Sequence, residues 1–289
     1  MNLTILILVL VSAGLHPLRE FFIKGSSTPE GIVFAVTINF GILSALHLVV
    51  FGVNPLSAIT VWPLALVSGL GIITYHLGIL STLRHGDLSI YYPITRSSPL
   101  FVVIVGFFLL GHQYTLTLIL GFALVLVGAF LLQFRPGAGL FTQPRTLALA
   151  IFVMCTHGAI TLVDAEAMKS VEPVAFLFLQ YVFLIPAMAI ALIITRPTGR
   201  TVYRHLFIGW VHTPFSFFIS GITSYASYYL ILLAFQMGAN VAAVASVRQI
   251  SIPLSVMLGG LILKEARMSK RLGWSLLLAA GVILIIFSK

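Results

Sequence analysis

Residues 115–134 read TLTLILGFALVLVGAFLLQF, twenty residues without one charged side chain. A helix of that length is about 30 Å long, which matches the hydrocarbon thickness of a bilayer. Working outward, comparable apolar stretches cover approximately 3–24, 31–51, 62–83 and 88–110 before it. Five more follow at 146–168, 173–195, 208–235, 239–262 and 269–288. Ten crossings of about 20 residues consume roughly 200, and the chain has 289. Composition agrees, with 60% hydrophobic and 8% charged residues against about a quarter charged in a soluble domain. The sequence therefore predicts an all-α integral membrane protein with ten transmembrane helices. An outer-membrane barrel is excluded, because its strands alternate polar and apolar residues whereas these stretches are continuously apolar. Residues 3–14 imitate a signal peptide, but no Lys or Arg precedes them and no convincing cleavage pattern follows, so they are expected to be the first span.

The long polar connection Arg135–Arg145, carrying Pro136, Gly137, Gly139 and Pro144, falls near the midpoint and invites a test for duplication. A shift of 144 residues superposes Gly14 on Gly158, Glu20 on Asp164 and Pro29 on Pro173. A shift of 152 superposes Gly69 on Gly221, Gly86 on Gly238, Arg96 on Arg248 and Gly121 on Gly273. Matched acids and matched arginines inside apolar spans are rare by chance. The expected organisation is a first five-helix repeat over 1–134, a loop over 135–145 and a second repeat over 146–289. Five is odd, so the second copy enters the membrane from the opposite side and the repeats are inverted.

The formal net charge of +9 and pI near 10 would suggest nucleic acid in a soluble protein, but these charges form no patch and lie between spans. No nucleic-acid partner is expected. Eleven of the sixteen basic residues (Lys24, Arg84, Arg135, Arg145, Arg196, Arg200, Arg204, Lys264, Arg267, Lys270 and Arg271) fall in odd-numbered connections or at the span ends that border them. Only Lys169 and Lys289 fall in even ones or tails, so the positive-inside rule predicts both termini outside the cytoplasm. Arg19, Arg96 and Arg248 lie within spans. The lone cysteine, Cys155, excludes an intramolecular disulfide and a cysteine metal cluster. The eight histidines are dispersed without metal spacing, so no metal or cofactor is expected.

Arg96 and Arg248 enter their spans by about eight or nine residues, roughly 12–14 Å deep. An arginine there costs about 2.5–3.5 kcal/mol on insertion scales, so each faces a cavity or a partner. Pro93, Pro99 and Pro253 flank them and free nearby backbone groups, which favours a functional cavity over a permanent structural lock. Glu20 and Asp164 form the matched acidic pair; they either balance the arginines or exchange protons as a coupling device. Arg19 is expected to snorkel to the interface. Asp87 and Asn240, each following a glycine, read as helix caps. Tyr75, His76, Tyr92, Tyr225 and Tyr228 offer hydrogen bonds and ring faces to a cavity. Gly121 and Gly128, with Gly273, Ala280 and Gly281, read as close-packing seams on the fifth and tenth spans. No Walker loop, HExxH or GxSxG is present, and no nucleophile and base are placed together, so no enzyme is expected.

The run RHGDLSIYYPITR from Arg84 to Arg96 resembles the RHGDLSxxYPxxRG signature of a branch of the drug/metabolite transporter superfamily, EamA type. VASVRQIS from Val244 to Ser251 is similar to that branch's VAxxRETS, and Leu263–Glu265 stands where LGE is usual. TLVD at 161–164 and the stretch from Leu15 to Lys24 resemble two further elements. Arg19 and Glu20, Ser97, Gln249 and His112 depart from the pattern. The resemblance implies ten helices in two inverted repeats around a central cavity lined by the first, third, fourth, sixth, eighth and ninth spans. It also implies a secondary active transporter in the inner membrane, working by alternating access.

The arginines specify the cargo. A guanidinium matches carboxylate, phosphate or phosphonate with two parallel hydrogen bonds. The expected substrate is a small anionic or zwitterionic metabolite, with or without proton coupling. Arg96, Arg248, Tyr92, Tyr75, His76 and Tyr228 are the candidate binding residues, and Glu20 and Asp164 the candidate coupling or ion-pair residues. A lipid-headgroup flippase or small-molecule channel is the alternative. Membrane lipids are expected neighbours, and the chain is read as a monomer or homodimer.

Overall fold

A computed structural model describes residues 2–23, 29–85, 91, 94–133, 143–196, 199, 201–254 and 268–288. Among the described residues every regular element is helical. The first half contains α1 (Leu3–Ile23), α2 (Pro29–Phe51), a 3-10 turn η1 (Pro55–Val61), α3 (Trp62–His85), α4 (Ser98–Phe108) and α5 (Leu116–Gln133). The second contains α6 (Pro144–Ala167), α7 (Pro173–Ile194), two short helices α8 (Val202–Leu206) and α9 (Ile208–His212), then α10 (Pro214–Gln236). It ends with α11 (Val241–Val247), a 3-10 turn η2 (Arg248–Ile250) and α12 (Met268–Phe287). Each predicted apolar segment carries helix. Among the described residues, five helical stretches are long and apolar enough to cross a membrane: Glu30–Phe51, Pro55–Thr82, Pro144–Ala167, Pro173–Ile194 and Pro214–Gln236. Their exposed faces are apolar, as at Val49, 80% exposed, and Ile194, 78% exposed, which suits lipid rather than water.

Local chemistry sets the boundaries. Proline opens α2, α6, α7 and α10, where its missing N–H costs nothing and its φ is already helical. Pro214 also corrects the eighth predicted segment: the apolar run begins at 208, but α10 begins at Pro214 after the separate helix α9. Gly238, at φ 81°, closes α10, and Asn240 caps α11 by accepting from the Ala243 N–H at 3.0 Å, as its spacing predicts. Asp87, Gly86 and the loop at 134–142 lie outside the described residues.

Packing is dominated by a few long pairings. α1 runs along α10, α3 along α6, α2 along α7, and α5 along α12. α2 also touches α10, α3 touches α7, α4 touches α6, and α1 touches η2. The α5–α12 pairing is a close antiparallel contact. A Cβ added to Gly128 would stand 2.8 Å from the Leu278 N, and one on Gly281 would stand 2.7 Å from the Val125 N. Gly121 meets Gly281 and Ile285 in the same seam. Gly273 and Ala280 do not belong to it: a Cβ on Gly273 would meet nothing within 4 Å, and Ala280 is exposed. The seam's i, i+4 partner on α12 is Ile285, so the small-residue pattern alone misplaced its face.

Candidate functional site

The two arginines sit where helices break. Arg96 occupies a turn immediately before α4, whose second residue is Pro99. Pro99 has no N–H to return to the Thr95 carbonyl four residues back, so an α-helical ladder does not run unbroken through Arg96. Arg248 opens η2, the 3-10 turn that interrupts the helical run after α11. The continuous helices assumed for depth are therefore replaced by discontinuous ones, and both guanidiniums project from irregular backbone into one cavity. Its volume is about 130 Å³, room for roughly four waters at about 30 Å³ each.

Arg96 bridges elements distant in sequence. Its Nη1 donates to His16 Nε2 at 3.2 Å, and its Nη2 donates to Ser251 Oγ at 3.0 Å. A guanidinium only donates, so His16 must accept at Nε2 and is held as the neutral ring. The Gln249 Nε2 donates to the Arg96 carbonyl at 2.9 Å; because a carbonyl only accepts, that bond also fixes the amide's orientation. The two broken segments thus grip each other. Reciprocal bonds between Ser12 and Ser227, at 2.7 and 2.9 Å, clamp α1 to α10 beside the cavity.

Of the residues anticipated for this site, Arg96, Arg248, Tyr75, His76 and Tyr228 all line the cavity. Tyr225 does not: its hydroxyl pairs with His47 Nδ1 at 2.9 Å on the α2 side. Tyr92 lies outside the described residues, as do the side chains of Arg19 and Glu20, although α1 runs through both positions. Several wall residues carried no such expectation. His157 Nδ1 meets Ser98 Oγ at 2.7 Å, its ring stacked on Tyr75 with centroids 4.7 Å apart. Phe40 and Tyr181 form a second stacked pair at 4.6 Å. Among the described lining residues there is no carboxylate.

Asp164 stands behind that wall, 1% exposed. Ser68 Oγ donates to its Oδ1 at 2.5 Å, the Tyr228 hydroxyl donates to its Oδ2, and Gln180 Nε2 donates to Ser68 Oγ at 2.7 Å. Arg248 acts on it electrostatically. Four elements therefore converge around one carboxyl: α6 supplies it, α3 and α10 supply its hydrogen bonds, and α7 supplies the Gln180 that bonds Ser68. Ser68 and Gln180 were legible in principle, since a glutamine in the run FLFLQYVFL is costly in lipid and should face a partner.

No family model and no curated protein matches the chain. Among solved structures, a crystal structure described only as "Crystal structure of protein" matches with a TM-score of 0.76 over 98% of this chain and 96% of that one. At 16% identity the likeness establishes a shared fold over nearly the whole length and carries no function.

Proposed function

We propose that this chain is a ten-helix secondary transporter of the drug/metabolite transporter superfamily, EamA type, built from two inverted five-helix repeats. It moves a small anionic or zwitterionic metabolite across the inner membrane by alternating access, with both termini outside the cytoplasm. The helix pairings support the repeats. Exchanging the two sets of five maps α1–α10 onto α6–α3, α2–α10 onto α7–α3 and α4–α6 onto η2–α1, while α2–α7 and α5–α12 map onto themselves. A pattern invariant under that exchange is what a pseudo-two-fold axis in the membrane plane produces.

The observation that carries the substrate class is the pair of arginines lining one cavity, each at a break in its helix. Broken helices over a cavity are the usual way a transporter presents backbone and charge to cargo in lipid. A carboxylate or phosphonate entering the cavity takes over N–H groups that Arg96 gives to His16 and Ser251. Release of Ser251, which belongs to the second half, loosens the contact between the two halves, so cargo binding and the change of access are one event. Asp164, tied to Tyr228 and acted on by Arg248, is the coupling carboxyl.

The test is uptake into liposomes containing the purified protein, with a panel of labelled small carboxylates, phosphonates and amino acids beside neutral analogues of equal size. Saturable entry of one anionic or zwitterionic class supports the reading. Equal entry of charged and neutral solutes indicates a channel and refutes it.

A further inference from the structure

We infer that Tyr228 is the proton relay between the cavity and Asp164, the one hydroxyl through which this sealed carboxyl gains and loses its proton. The inference rests on the transport reading only for its purpose; the relay itself is a matter of local geometry. Asp164 is buried and does not line the cavity, whereas Tyr228 does both: it forms part of the wall and donates to Asp164 Oδ2.

Access to the cavity distinguishes the two oxygens: Tyr228 lines it and Ser68 does not. On the Oδ1 side, Gln180 donates to Ser68 and Ser68 donates to the carboxylate. The Gln180 N–H occupies a Ser68 lone pair and keeps its hydroxyl pointed at Asp164, so Oδ1 stays an acceptor. On the Oδ2 side the Tyr228 hydroxyl, which Gln180 also hydrogen-bonds, is open to the cavity and can exchange its proton there and reverse. A hydronium ion in the cavity gives its proton to the Tyr228 oxygen as the proton already there passes to Oδ2. One O–H bond breaks and one forms at the tyrosine, which stays neutral throughout, while Asp164 becomes a neutral acid and water is left behind. The reverse sequence returns the proton.

The titratable or charged groups among the described residues lining the cavity beside Asp164 are Tyr228 on α10, Tyr181 on α7, Arg248 on η2, Tyr75 and His76 on α3, His157 on α6 itself, His16 on α1 and Arg96 before α4. Tyr228 bonds it directly. Arg248 supplies the consequence. Once Asp164 is neutral, the Arg248 charge is no longer balanced from behind the wall and acts on the cavity, so proton uptake and anion binding favour each other.

The experiment is time-resolved infrared spectroscopy after a downward pH jump on the purified protein, following the protonated-carboxyl band that Asp164→Asn removes. Wild type should develop the band, and Tyr228→Phe should develop it at least about 100-fold more slowly, the scale of a positioned proton-transfer group. Ser68→Thr, which keeps a hydroxyl on Oδ1, should match wild type. If Tyr228→Phe does not fold, a fluorinated tyrosine placed at position 228 retains the side chain while changing its O–H basicity, and the rate should change. Equal rates in wild type and the position-228 variants overturn the relay, as does the absence of any band that Asp164→Asn removes. Neither readout needs cargo: a protein that shows the relay but fills no liposome keeps this inference and loses the transport reading.

Discussion

Asp164→Asn removes a charge and Ser68→Ala removes one oxygen, yet the hydrogen-bond geometry ranks their effects on stability in the opposite order. Ser68 accepts from Gln180 Nε2 at 2.7 Å and donates to Asp164 Oδ1 at 2.5 Å, and Ser68 and Gln180 are 0% exposed and Asp164 1%. Alanine at 68 strands an amide N–H and a carboxylate oxygen together. At about 1–3 kcal/mol for each unsatisfied buried group, the loss is about 2–6 kcal/mol. Asparagine at 164 has an oxygen that accepts from Ser68 and an NH₂ that faces Tyr228, whose hydroxyl reverses to accept. That exchange weakens two charge-assisted bonds to neutral ones, offset by no longer burying a charge, for a net loss of about 0–3 kcal/mol. The assay is thermal unfolding of both purified variants and wild type in one detergent, scanned at one rate. Ser68→Ala should melt below Asp164→Asn. An Asp164→Asn protein that melts first refutes the assigned donor and acceptor directions.

Two further outcomes are expected. Gly281→Ala places a Cβ 2.7 Å from the Val125 N and 2.8 Å from the Gly121 O, backbone that cannot step aside. It should destabilise by about 1–3 kcal/mol, while Gly273→Ala, with open space, should stay within about 0.5 kcal/mol; the same melting assay compares them. A reporter active only in the cytoplasm should stay silent when fused after Lys289, because eleven of the sixteen basic residues lie in odd-numbered connections or at the span ends that border them; strong activity reverses the orientation.

The helices were legible because lipid demands continuous apolar runs, a signal that needs no knowledge of partners. Their pairing was not: nothing in α1 alone names α10, and the Ser12–Ser227 clamp joins residues 215 positions apart. Arg96 and Arg248 were readable as cavity residues because charge in a span is costly. Their setting at breaks was signalled only by the nearby prolines. Tyr225 and Tyr228 are three residues apart on one helix, so composition could not say that one reaches the cavity and the other reaches His47. Gln249 and His16 entered only through the family resemblance, and their role as partners of Arg96 depends on backbone geometry that spacing does not encode.

The central claim is that Arg96 and Arg248 together hold a substrate anion. Its most direct test is the affinity of purified wild type, Arg96→Lys, Arg248→Lys and the double variant for the anion that the liposome panel selects, with melting midpoints recorded on the same samples. Lysine keeps the charge but not the planar fork, so each single change should weaken binding by about 10- to 150-fold through loss of a charge-assisted bond. Because both arginines share one ligand, the double variant should lose less than the sum of the two singles. Variants that keep their melting midpoints and bind the anion as wild type does would contradict the account.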